Sequence, residues 1–209
     1  MGDANQVTVG TTSRINDLKT GEELFRLDVG QRYYLNTPMV LIPSESQINS
    51  DSDLFLSARG NVAQDTSLTY LGQYDSKTGR NEKGNITLSY APSDGKQLNF
   101  GYRYTRSSIN QFDLSGQWPI SRKWSGVSRL NYSVLESRSI ETLMGLEYDD
   151  GCWVARIVGQ RFAVAPALTT TALFLQLELT GFGRLGSNPL DLLSREIPGY
   201  TPVGLERNP

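Results

Sequence analysis

Gly145-Leu146-Glu147-Tyr148-Asp149-Asp150-Gly151-Cys152-Trp153-Val154-Ala155-Arg156 decides how the rest of the chain is read. Asp-Gly between two apolar-patterned runs marks a hairpin turn, because Gly takes a positive φ without steric cost. The second strand opens on Cys152, the one cysteine among 209 residues. Cys152 has no partner within the sequence, so it is either an inert small hydrophobe or pairs outside these residues.

The same two-residue alternation runs outward in both directions. Ile86, Leu88 and Tyr90 alternate with Asn85, Thr87 and Ser89. Leu98, Phe100, Tyr102 and Tyr104 alternate with Asn99, Gly101 and Arg103, and Phe112, Leu114 and Trp118 with Gln111, Asp113 and Gln117. Earlier, Val7 and Val9 oppose Thr8 and Arg14; Phe25, Leu27, Val29 and Tyr33 oppose Arg26, Asp28 and Arg32; Leu54 and Leu56 oppose Ser57 and Arg59. Leu173, Leu175, Leu177 and Leu179 oppose Phe174, Gln176 and Glu178, while Cys152 to Phe162 is mixed on both faces. About eleven strands are predicted, each of the length a tilted membrane-crossing strand needs. They set an all-β, antiparallel up-and-down fold. Turns fall at Lys19-Thr20-Gly21, Lys77-Thr78-Gly79, Pro92-Ser93-Asp94-Gly95 and Asp149-Asp150-Gly151. Residues 1–180 read as one set of strands and 181–209 as a Gly/Pro-rich tail packed at a rim, with one helical stretch from Leu190 to Arg195.

Composition narrows the function. The net charge is -2, and Lys and Arg are scattered, so no basic stripe offers itself to nucleic acid. There is no His, which removes the commonest general base and metal ligand. No Gly-x-Ser-x-Gly elbow occurs, and after Gly79 to Gly84 the Lys of a phosphate loop is replaced by Asn85. No catalytic, cofactor or metal residues are expected. Asp51-Ser52-Asp53 reads as the polar start of a strand before it reads as a cation site, and Asp149-Asp150 as a turn pair. The opening residues Met1 to Gln6 hold no apolar signal-peptide core, and no apolar run is long enough for a membrane helix. Neither point bears on a β-barrel, which crosses a bilayer with alternating strands.

Two environments fit the alternation. In a soluble sandwich the apolar face is the core; in a membrane barrel it faces lipid and the polar face lines the lumen. The polar face carries Arg26, Asp28, Arg32, Arg59, Arg103, Asp113, Arg129, Glu141, Glu147 and Glu178, more ion-pair material than a solvated sheet needs. Aromatic residues near strand ends (Tyr33, Tyr74, Tyr90, Tyr104, Trp118, Trp124, Tyr148, Trp153) resemble interfacial girdles. If consecutive strands are hairpin-linked, the longest connection, Leu35 to Asp51, lies at the end opposite Cys152. Long loops are extracellular in outer-membrane barrels, so Cys152 is expected at the periplasmic rim. An odd strand count, against the even number of a closed barrel, predicts part of a larger barrel.

A set of phrases in order carries a family resemblance: Thr12-Ser13-Arg14, Gly30-Gln31-Arg32-Tyr33-Tyr34, Gly101-Tyr102-Arg103-Tyr104, Trp118-Pro119-Ile120, Gly145-Leu146-Glu147-Tyr148, Cys152-Trp153, Gln160-Arg161, Phe174 to Leu179, and Ile197-Pro198-Gly199-Tyr200. Together they resemble the C-terminal part of the LptD family of lipopolysaccharide-assembly outer-membrane proteins. The resemblance implies a section of a barrel of roughly 26 strands. It implies a bacterial outer-membrane location and insertion of lipopolysaccharide into the outer leaflet through a lateral opening. The implied partners are a plug lipoprotein of the LptE type, outer-membrane lipid, and a periplasmic bridge reached through a jellyroll domain outside these residues. Thr171, Leu173, Leu175, Leu177 and Leu179 would form the C-terminal side of the lateral seam. Family members often carry two adjacent cysteines before the Trp; here Gly151 takes the first position, so Cys152 could form at most one bond, to a cysteine outside this chain. A passive porin-type pore and a soluble β-sandwich binding module are the competing functions.

Overall fold

A computed structural model describes residues 6–34, 53–165 and 168–204. Eleven strands of 10 to 14 residues follow one another: β1 (Gln6–Asn16), β2 (Glu23–Tyr34), β3 (Leu54–Ala63), β4 (Thr66–Asp75), β5 (Arg80–Ser93), β6 (Lys96–Thr105), β7 (Ile109–Pro119), β8 (Trp124–Ser133), β9 (Arg138–Asp149), β10 (Trp153–Ala165) and β11 (Leu168–Leu179). A short β12 (Gly183–Gly186) and one helix, α1 (Leu190–Glu196), complete them. The sheet order is β1 to β12 without a crossover. The fold is the all-β, up-and-down one that alternation predicts, with a twelfth strand where a loop is expected. The long connection between β2 and β3 lies outside the described residues.

The chain divides into two compact units. The first holds β1 to β4 with the adjoining parts of β5, β6 and β7. Its register pairs Arg14 with Arg26 and Arg26 with Arg59, and the next row on the same face is Thr12, Asp28 and Ser57. Thr12 Oγ1 donates to Asp28 at 2.7 Å, and Arg26 Nε donates to the same carboxylate at 3.0 Å. The Arg32 guanidinium stands 5.3 Å from the Phe55 ring centroid. A cavity of about 550 Å³ opens over this face, lined in part by Thr12, Asp28, Phe55, Ser57, Gln73 and Arg103.

The second unit holds the rest of β5 to β7 and everything after. Cross-strand rows on one face run Ser115, Arg129, Leu143, Gln160 and Gln117, Val127, Gly145, Val158. Its buried core is Val127, Leu143 and Val158 of the sheet against Leu192 and Leu193 of α1 and the following Ile197. Gly145 makes this possible: a Cβ there would lie 2.8 Å from methyls of both Val127 and Val158. The opposite face is uncovered. Met144 is 68%, Leu173 64% and Ile157 46% exposed, against 0% for Glu147 and 2% for Arg156.

The tail therefore does not stop at a rim. Residues after β12 fold back across the middle of the polar face, and the reason is local. Asn188-Pro189 starts a helix whose Leu190, Leu192 and Leu193 are all buried. Seven residues are too few for an isolated helix to persist, so α1 exists because the sheet covers its apolar side.

Candidate functional site

The β9–β10 hairpin forms as its turn chemistry requires. Gly151 sits at φ 87°, and its N–H donates to Asp149 Oδ1 at 2.7 Å. The Cys152 carbonyl accepts from Thr180 N at 3.0 Å, which ties this turn to the end of β11. Lys123 ion-pairs with Asp150 from the neighbouring turn. That pairing holds the Asp150 carboxyl below its usual range and the Lys123 ammonium above its own; the hydrogen bond between them is the main cause, and their charge attraction adds to it. Cys152 is exposed and free.

Beneath the tail lies a buried ion cluster centred on Arg156. Its Nε donates to Glu147 at 3.1 Å, and its Nη1 to Gln176 at 2.9 Å and Glu178 at 2.7 Å. The remaining nitrogen, Nη2, donates to the Val203 carbonyl at 2.6 Å. One guanidinium thus joins β9, β10, β11 and the tail. Tyr200 donates its hydroxyl to Glu147 at 2.6 Å, and burial holds that hydroxyl above the ordinary phenol range. Gln117 completes the ring: its amide nitrogen donates to the Thr201 carbonyl at 2.8 Å, and its oxygen accepts from Thr201 N at 3.0 Å. A charge removed from water is tolerated only when paired and hydrogen-bonded, and each member here is.

The tail is stitched along its described length. Asn99 donates to the Pro198 carbonyl at 2.8 Å, Glu196 ion-pairs with Arg129, and the Gln176 amide donates to Asn188 at 3.3 Å. Gly199 has φ 79°, and a Cβ there would stand 2.7 Å from Gln97 Oε1, so the close pass over β6 needs glycine. Every strand from β6 to β11 contributes at least one contact. At the edge, β12 pairs with β11 from Gln176 to Leu179, and Ser187 hydrogen-bonds to Leu175. Upstream of Leu175, where Thr171 and Leu173 lie, β11 has no further strand beside it among the described residues.

Apart from Arg32, which stands over the Phe55 ring, the polar residues singled out from sequence fall into three groups. Arg129 joins Asp113 at 2.8 Å and Glu141 at 3.1 Å, and Gln160 donates to Glu141 at 2.6 Å. Arg26 and Asp28 pair with each other, while Arg59 and Arg103 make no ion pair among the described residues. Glu147 and Glu178 are brought together by Arg156, which the sequence reading did not single out as a site residue, nor Gln117, Gln176 and Tyr200. The available signal was parity: Val154, Arg156, Val158 and Gln160 alternate with Trp153, Ala155, Ile157 and Gly159. Of the Asp51-Ser52-Asp53 run only Asp53 is described; it accepts a hydrogen bond from Gln73. No cluster with metal-ligand composition occurs among the described residues.

In the second unit an up-and-down sheet leaves its apolar face uncovered and buries its polar face under its own chain, a polarity turned inside out for water. That is the class of a bacterial outer-membrane β-barrel segment. Comparison with known proteins makes the assignment specific. The family model described as LptD, LPS transport system D, matches residues 1–124. The LPS-assembly protein LptD of Thiobacillus denitrificans is 42% identical over 203 residues, covering 97% of this chain and 28% of that protein. The LptD of Aromatoleum aromaticum is 43% identical over 201 residues (96% and 26%), and that of Nitrosospira multiformis 39% over 204 (98% and 22%). The chain belongs to the LptD family. It spans about a quarter of the length of these relatives.

Proposed function

We propose that this chain is part of the outer-membrane translocon that inserts lipopolysaccharide into the outer leaflet, and that its polar face lines the barrel lumen. The observation that carries the reading is the pairing, in the second unit, of an exposed apolar face with a tail-covered polar one. A strand set that only formed a passive pore would leave that face open to water. In this reading residues 1–180 supply membrane strands, and the tail that follows folds, over its described residues up to 204, against the lumenal side. The free upstream edge of β11, with Thr171 and Leu173 on it, is the C-terminal side of the lateral seam. The first strand that meets it, the jellyroll that connects to the periplasmic bridge, and the LptE-type plug are contributed from outside this chain. Cells depleted of the protein are expected to retain newly made lipopolysaccharide short of the surface; undiminished surface lipopolysaccharide would overturn the proposal.

Cys152 is read as a periplasmic tether, bonded once to a cysteine outside the chain. Its exposure beside the Thr180 turn leaves the thiol open to a partner. Non-reducing peptide mapping of the whole protein tests this, and a Cys152 that alkylates without reductant would sink it.

A further inference from the structure

All three tryptophans of the chain, Trp118, Trp124 and Trp153, stand at strand ends on the apolar face of the second unit. They belong to two aromatic groups. Trp124 contacts Tyr148 at 4.9 Å between centroids, and Tyr148 contacts Trp153 at 5.0 Å. Trp118 stacks on Tyr90 at 6.5 Å with the rings 23° apart. Each group carries an ammonium over a ring face: Lys123 lies 5.9 Å from the Tyr148 centroid and Lys96 lies 5.8 Å from that of Trp118. The two lysines differ in one respect. Lys123 is neutralised by Asp150, whereas Lys96 has no carboxylate partner among the described residues.

A cation held over an indole and left without a counter-ion, beside an apolar surface, suits an amphiphile with an anionic head. Leu98 and Phe100, which follow Lys96 on its own strand, and Leu114, four residues before Trp118 on the same face of β7, are all exposed apolar side chains. Together they form a shelf on which acyl chains can lie while the phosphate reaches the ammonium. Indole and ammonium at one level mark the depth of the headgroup layer.

We propose that Lys96, Trp118 and Tyr90 form a binding site for an anionic glycerophospholipid, its phosphate on Lys96 and its acyl chains on Leu98, Phe100 and Leu114. The site rests on the membrane-spanning reading given above. The turn that carries Lys96 lies, by strand alternation, at the same end of the strands as Cys152. The lipid is therefore drawn from the leaflet at that end.

The test uses the full chain folded into vesicles, with Trp124→Phe and Trp153→Phe so that Trp118 alone reports. Bromine in lipid acyl chains quenches an indole it touches. Vesicles mixing phosphatidylglycerol and phosphatidylcholine are prepared twice, with only one lipid brominated each time. Preferential quenching by brominated phosphatidylglycerol is expected, about fivefold in apparent affinity, the size one basic side chain contributes at an anionic surface. Lys96→Gln should abolish the preference, Lys96→Arg should retain it, and Lys123→Gln should leave it unchanged. Equal quenching by both lipids, or a preference that survives Lys96→Gln, overturns the site while leaving the membrane reading intact. No quenching by either lipid would overturn the membrane reading itself and the site with it.

Discussion

Arg156 carries more of the second unit than any other side chain, because its donors reach two neighbouring strands and the tail together. Removing one partner of a buried ion pair costs more than the pair is worth, since the other charge stays behind without compensation. Arg156→Gln is therefore expected to destabilise the chain by about 3–5 kcal/mol. Tyr200→Phe deletes one donor to the same carboxylate and should cost about 1–3 kcal/mol. The two effects should not add, because both act on Glu147. Guanidinium unfolding in detergent micelles measures all three; an Arg156→Gln variant indistinguishable from the parent would remove the cluster from any structural role. The Lys123–Asp150 tie makes a separate statement about pH. Asp150 is held below its ordinary value of 3.8, so its contribution is complete above that pH and disappears as pH falls through the depressed value. Lys123 is held above 10.5, so the alkaline limit lies beyond that value and the tie persists across the whole interval between. An NMR titration of the Asp150 carboxyl should give a midpoint below the ordinary value that rises in Lys123→Ala; an unshifted midpoint in the parent would show that the pair is not formed.

At the scale of the element, α1 and the tail explain both what the sequence discloses and what it conceals. Strands β5 to β7 read cleanly because alternation has a strict period of two and most polar-face positions there are polar, as in Asn85-Thr87-Ser89 and Gln111-Asp113-Ser115-Gln117. Around α1 the polar face is no longer uniformly polar: Val127, Leu143, Val154 and Val158 are turned toward the tail. That substitution blurred the pattern from Cys152 to Phe162 and hid Arg156, which sits between two of those valines. The tail itself gave little notice of its course, since Gly and Pro mark where a chain turns and not what it lies upon. The helical stretch after Asn188-Pro189 was legible, because a Pro preceding a short apolar run is a helix start. Leu193, fully buried between α1 and the sheet, is the point at which the element is most exposed to test. Leu193→Ala should cost about 2–5 kcal/mol and loosen the tail as a unit. Hydrogen exchange would then show the amides of Leu193, Ile197, Tyr200 and Thr201 losing protection together. Loss confined to Leu193 would mean that the tail is held residue by residue and α1 is not its anchor.

For the whole molecule the decisive contrast is between two solvents for the same apolar face. Apolar residues are common on soluble proteins, so exposure of any one of them decides nothing. What decides is that they lie in rows: Leu146 beside Ile157 and Leu175 in register, and Met144 beside Gly159 and Leu173. In water such rows would form an unusually large apolar patch, the kind that drives association. In a bilayer they are the surface that lipid requires, while the strands satisfy one another's backbone groups. Met144 separates the two solvents with one substitution, because it lies mid-strand on β9 and is 68% exposed, touching little of the chain itself. If water covers this face, Met144→Arg is a surface change worth within about 0.5 kcal/mol. If lipid covers it, the same arginine must lie near the bilayer midplane and should destabilise the chain by about 2–4 kcal/mol. The effect should shrink toward zero for an arginine placed at the strand end, as in Leu179→Arg, since the cost of a charge falls with its distance from the midplane. Unfolding of the two variants from vesicles measures the difference directly. Equal, small effects at Met144 and Leu179 would return the chain to a soluble sheet, whereas a penalty that follows depth is a property only a membrane-spanning strand possesses.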